Sequence, residues 1–70
     1  MERKRYLELC QKYAVGQDVT VSHDGSEYYP LRYELGFNGA GELVHVAIMK
    51  DKKANSIIHC GLEGVEIVEE

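Results

Sequence analysis

The spacing of apolar residues changes period at Gly16. Across residues 2–15, Tyr6, Leu7, Leu9, Cys10, Tyr13 and Ala14 fall on one broad face at about 100° per residue, with Lys4, Arg5, Glu8, Gln11 and Lys12 opposite. This predicts an amphipathic helix closed by Gly16, which ends a helix in the left-handed region without strain. A helix this short is marginal in water, so its apolar face must dock on something.

From residue 17 the period falls to two. Val19 and Val21 alternate with Asp18, Thr20 and Ser22, a short strand with one buried face. His23-Asp24-Gly25-Ser26 then reads as a hairpin turn. In residues 27–37 the odd positions Tyr29, Leu31, Tyr33, Leu35 and Phe37 are apolar and the even ones include Arg32 and Glu34, so the odd face is expected inward. Pro30 lacks an amide proton and marks an edge, a bulge or a bend.

After the turn Asn38-Gly39-Ala40-Gly41, residues 41–50 are apolar on both alternating faces. Val44, Val46 and Ile48 form one set, and Leu43, Ala47 and Met49 the other, broken by His45. A strand needs this only when covered on both sides, so it is expected to be central, with the helix as its lid. Asp51-Lys52-Lys53-Ala54 turns into a fourth strand over 55–60. Gly61-Leu62-Glu63-Gly64 is a single tight turn, and residues 65–68 form a fifth strand.

The pattern predicts an α+β protein: an N-terminal helix packed on a five-stranded antiparallel meander, one domain over residues 1–70 with helix 2–15 and sheet 17–68. In element order, residues 17–68 resemble an SH3-like small barrel, where a one-turn break lets the last strand cross over and pair near the first. The resemblance implies a partly closed barrel whose spare apolar face the helix covers. It rests on layout, and no functional residue carries over from it. A flat sheet under the helix is the alternative.

Seventy residues leave no room for a deep catalytic cavity beside a core. The net charge of −4 disfavours general nucleic-acid binding, which rests on Lys and Arg at phosphates. That charge is unevenly placed. Arg3, Lys4, Arg5 and Lys12 outweigh Glu2 and Glu8 at the start, and the last ten residues hold Glu63, Glu66, Glu69 and Glu70 with no base. Such a split either steers a partner or leaves both ends merely solvated. Cys10 and Cys60 are too few for a secreted mini-domain and suit reduced thiols in a cytoplasm. The apolar run after Arg3-Lys4-Arg5 is broken by Glu8 and Gln11, unlike a secretory leader, and no run is long enough to span a membrane.

Candidate chemistry is sparse. His45, His59, Cys10 and Cys60 are the soft metal ligands, but adjacent His59 and Cys60 point to opposite faces of a strand and no Cys-x-x-Cys spacing exists, so neither metal nor cofactor is expected. His45 and His59 could pair across neighbouring strands. Cys60 with His45 is the nearest nucleophile and base, without a third group to orient them, and the expectation is no enzyme.

Tyr28 and Tyr29 are adjacent, so one faces out. The parity above assigns Tyr28 to the outer face with Pro30 and Arg32, a residue pair favoured at interfaces. With Lys50, Lys52 and Lys53 at the nearby turn, these define the candidate binding set Tyr28, Arg32, Lys50, Lys52 and Lys53. The expected role is a small non-enzymatic accessory, monomer or homodimer and free of membrane, that recognises another protein. The alternative is RNA or single-stranded DNA held by the lysines and tyrosines.

Overall fold

The computed structural model describes residues 1–68; Glu69 and Glu70, two of the acidic residues noted above, lie outside the described residues. Helix α1 (Arg3–Ala14) precedes strands β1 (Val21–His23), β2 (Ser26–Phe37), β3 (Leu43–Asp51) and β4 (Ile57–Gly61), a 3-10 turn (Leu62–Gly64) and strand β5 (Glu66–Ile67). They form one antiparallel sheet in the order β4-β3-β2-β1-β5. The last strand does cross over to the first, with Val21 opposite Ile67. The fold is therefore α+β, as the pattern predicts, and its middle strand is β2 rather than β3.

Helix α1 ends in a Schellman arrangement. Gly16, at φ +94°, donates to the Tyr13 carbonyl and Gln17 to that of Lys12. Tyr6, Leu9 and Cys10 are buried, and Tyr13 packs at the core margin. Leu7 and Ala14, expected inside, are exposed, so the buried stripe is narrower than the sequence suggests. Asp24 and Gly25 both adopt positive φ, 51° and 82°, which is the two-residue turn whose twist matches the flanking strands. Thr20, expected outward, is buried instead. Its carbonyl accepts from Val68 and its hydroxyl from Lys52 Nζ at 3.0 Å.

The largest departure lies in β2. Its pairing with β3 slips between Pro30 and Arg32, leaving Leu31 as an extra residue, a β-bulge. Beyond the bulge, odd residues share the helix-side face: Tyr33 is opposite Ala47, Leu35 opposite His45 and Phe37 opposite Leu43. Before it the parity is reversed, so Tyr28 and Pro30 point into the core. Pro30 therefore sits at a bulge in the middle strand, a place where its missing amide costs no ladder bond.

Tyr6 closes the gap. Fully buried, it donates from its hydroxyl to the Ile48 carbonyl at 3.0 Å, next to the bulge. Burial first, and the neighbouring Cys10 thiol second, hold its ionisation far above the usual tyrosine range. Around it Leu9, Cys10, Val19, Val21, Tyr28, Ala47, Met49, Leu62 and Val65 form the core.

Only part of β3 is sandwiched. Ala47 and Met49 are buried under the helix, and Ile48 is buried on the reverse face between Arg32 and His59. Leu43 and His45 are open to water. The cause is a mismatch of lengths. A 12-residue helix reaches about 18 Å, whereas the 12 residues of β2 extend about 40 Å. Strand β1 pairs only residues 26–28 of β2, and β4 pairs only residues 46–50 of β3. Residues 35–37 and 43–45 thus continue as a two-stranded ribbon, in a molecule measuring 37 × 24 × 17 Å.

Candidate protein-binding surface

The helix-side face of this ribbon is apolar and uncovered. Leu35 is 50% exposed, Phe37 74% and Leu43 52%, and His45 is also open. Phe37 and Leu43 are direct cross-strand partners, as are Leu35 and His45, so the four side chains form one strip. Leu7, 44% exposed on α1, continues it beside Tyr33, with which it lines a shallow depression. Tyr33 and His45 stack, and the Tyr33 hydroxyl is hydrogen-bonded to His45 Nδ1.

A step borders the strip where the helix begins. Between the helix start, the 3-10 turn and the ribbon lies an open groove of about 760 Å³, lined among others by Arg3, Glu42, Leu43, His45, Leu62 and Glu63. Arg3 also lines the depression shared by Lys4, Leu7 and Tyr33. Charge is mixed along the strip: Arg3 shares the groove with Glu2, Glu42 and Glu63, and Lys4 shares the depression with Glu8. The first turn of α1 holds Arg3, Lys4 and Arg5 and no acid, against the helix dipole, which favours anions there. Of these three, only Arg5 has an ion-pair partner among the described residues, Glu8 at 3.4 Å.

The binding set expected from the sequence is dispersed. Tyr28 is 8% exposed and belongs to the core, because the bulge reverses the parity that assigned it outward. Tyr29 is half-buried, its ring stacked on Tyr13 at 4.9 Å with Lys52 Nζ 5.2 Å from its centre. Arg32 is exposed on the reverse face and pairs with Glu34 at 3.6 Å. Lys50 lies within β3 rather than in the turn, opposite Tyr29 and Ile57. Lys52 is tied to Thr20. Lys53 is exposed in the following turn, where the Asp51 carboxylate accepts the amides of Lys53 and Ala54 at 2.7 and 2.9 Å. Those amides, Ala54 first, draw the Asp51 carboxyl below its ordinary value. Only Arg32 and Lys50 share a face, and Tyr28 joins none of the others.

The histidines and thiols do not converge either. His45 belongs to the helix side and His59 to the reverse face opposite Ile48, so the cross-strand pair is not formed. Burial raises both thiols above their ordinary range; for Cys10 the neighbouring Tyr6 hydroxyl works the other way. A protonated Cys60 is a poor nucleophile, and His45 already engages Tyr33. Among the described residues no three His, Cys, Asp or Glu side chains gather as for a metal ion, and no helix is long and apolar enough to cross a membrane.

No protein-family model, curated protein or solved structure matches this chain.

Proposed function

We propose that this is a non-enzymatic binding protein, a small accessory that recognises another polypeptide through the uncovered end of the β2–β3 hairpin. The observation that carries the reading is the exposure of Leu35, Phe37 and Leu43 on one face. A two-stranded ribbon is marginal in water by itself, and a contiguous apolar strip left open on so small a protein marks an interaction site. Aromatic and aliphatic anchors in such a position carry most of the binding energy of an interface.

The reading takes the chain as an SH3-like small barrel left open at one end. The crossing of β5 onto β1 and the 3-10 turn before it support this. It also places the protein in a cytoplasm, which the two free thiols support. RNA or single-stranded DNA is the weaker reading. The ring of Tyr29 is already occupied by Tyr13 and Lys52, and Tyr28 is inside, so neither tyrosine offers a free face for a base.

The test is affinity capture from the native cell with wild-type protein and a Phe37→Ser/Leu43→Ser variant, at low and high salt. The proposal expects a protein partner that the variant loses and that salt barely releases, since apolar contacts are not screened. Capture of nucleic acid that falls steeply with salt supports the alternative. A protein partner retained by the variant refutes the surface.

A further inference from the structure

The main chain beside the apolar strip selects the form of its partner. We infer that β2 receives an extended segment of another polypeptide, added as a further antiparallel strand along residues 33–37. This rests on the binding surface proposed above and names the shape and pattern of the polypeptide it takes up.

One bond fixes which way each backbone group points. Asn38 donates its amide to the Glu42 carbonyl at 3.0 Å. In an antiparallel pair, opposed residues that exchange bonds alternate with opposed residues that do not. Gly36 and Glu34 therefore bond to Val44 and Val46, while Tyr33, Leu35 and Phe37 turn their amides and carbonyls away from β3. Nearer the start of β2, strand β1 lies along that side, but it goes no further than Tyr28, opposite Val21. Among the described residues, no strand lies beside the outward main chain of Tyr33, Leu35 and Phe37 and no hydrogen bond reaches it.

Such an edge is matched by extended backbone, which returns amides and carbonyls at the same repeat of about 7 Å. Folded proteins usually blunt their edges with proline, a bulge or lysine. Here Pro30 and the bulge at Leu31 blunt the part of β2 next to β1. Residues 33–37 carry no proline, lysine or bulge. The protection stops where the exposed side chains of Leu35 and Phe37 begin.

Side chains narrow the choice of segment. Residues directly opposed across a strand pair share a face. Those of the incoming strand beside Tyr33, Leu35 and Phe37 fall on the helix side and extend the apolar strip. Those between them fall on the reverse face beside Glu34 and Gly36, in water. The segment therefore has about five residues with alternate positions apolar. It makes the two-stranded end of the sheet three-stranded, the number at which a sheet with one apolar face stands in water. The outer edge of β4 is also open, but the large apolar side chain exposed along it is Ile57 alone.

Selection of displayed random heptapeptides on the whole chain, made by chemical synthesis, tests the inference. The expected binders carry apolar residues at alternate positions. Leu35→N-methyl-Leu removes the outward amide and no bond of the β2–β3 ladder, so circular dichroism should be unchanged and affinity should fall about tenfold. An ester in place of the same amide adds no bulk, should weaken binding alike, and decides the matter if the methyl group disturbs the fold. N-methylation at Ile57, on the β4 edge, should leave affinity unchanged. Failure to select any peptide overturns the inference, as do binders with helical spacing, binders lost only on N-methylation at Ile57, or binders indifferent to the missing Leu35 amide. A wild-type chain that light scattering shows paired, and that the Leu35 ester returns to 7.9 kDa, would make the occupant a second copy and overturn it likewise. Binders lost in Phe37→Ser yet indifferent to the Leu35 amide would end the inference and leave the binding surface standing. Binders lost with the amide, joined to a cellular partner that ignores Phe37 and Leu43, would do the opposite.

Discussion

Replacing Tyr6 by Phe removes one oxygen atom and should cost this protein a large share of its stability. The phenol is fully buried and donates to the Ile48 carbonyl of β3, beside the bulge where the β2 ladder has no partner for the extra residue. The ring's packing survives in Phe, so the loss is that of one hydrogen bond, with the buried Ile48 carbonyl left wanting, and we expect it to cost about 2 kcal/mol. A 70-residue domain has roughly 4–10 kcal/mol to lose. The melting temperature should drop by about 8–16 °C on the usual scaling for this size. Urea titration is the assay, with the midpoint moving and the slope unchanged. Tyr13→Phe is the control, since among the described residues its hydroxyl makes no hydrogen bond, and it should stay within about 0.5 kcal/mol of wild type. A Tyr6→Phe protein as stable as that control would refute the bridging role.

Three further outcomes follow from the same geometry. Gly25→Ala forces an alanine to φ +82° in the first hairpin and should lose about 1–2 kcal/mol in urea, whereas Gly39→Ala, whose φ is not positive and whose added carbon meets nothing, should lose less. The Asp51 carboxyl, held low by the Ala54 and Lys53 amides, contributes stability that is present above the unfolded carboxylate value of about 4 and lost as pH falls through its folded value. Asp51→Ala should therefore flatten the acid limb of midpoint against pH; an unchanged limb would contradict this. Tyr6 and Cys10 have raised folded values, so their contribution is intact below the unfolded values, about 8.5 for Cys and 10 for Tyr, and is lost as pH rises beyond them. The urea midpoint should fall on that alkaline side, and less so in Tyr6→Phe.

How far the residues reveal this architecture depends on how local each signal is. Gly16 and Asp24-Gly25 are read correctly because a positive φ restricts residue choice within one turn. The crossing of β5 onto β1 is what the resemblance in layout to an SH3-like barrel implies, and no single residue signals it. Tyr28 is misassigned for a reason equally local in effect but not in cause. One inserted residue at Leu31 reverses the parity of everything before it, and the helix residue packed beside that insertion, Tyr6, bonds to Ile48, forty-two residues away in sequence. Pro30 signals an irregularity but not its direction.

Leu35 and Phe37 are a subtler case. Their side is predicted correctly, yet the conclusion that they are buried fails, because facing the helix is not the same as lying under it. The needed signal was present in the lengths alone. A helix over residues 2–15 reaches about 21 Å and a strand over 27–37 about 37 Å, so one cannot cover the other. The candidate site is the remainder of that subtraction, which is why no motif announces it.

A photo-reactive side chain placed at position 37, with the same group at position 57 as comparison, addresses the central claim directly. Phe37 and Ile57 are both highly exposed, 74% and 59%, but Phe37 belongs to the ribbon's helix side and Ile57 to the reverse face. Illumination in the native cell should attach a second polypeptide at position 37 and none at position 57. Adducts at 57 alone, or at both positions alike, would show that the uncovered hairpin end is not where this protein meets its partner.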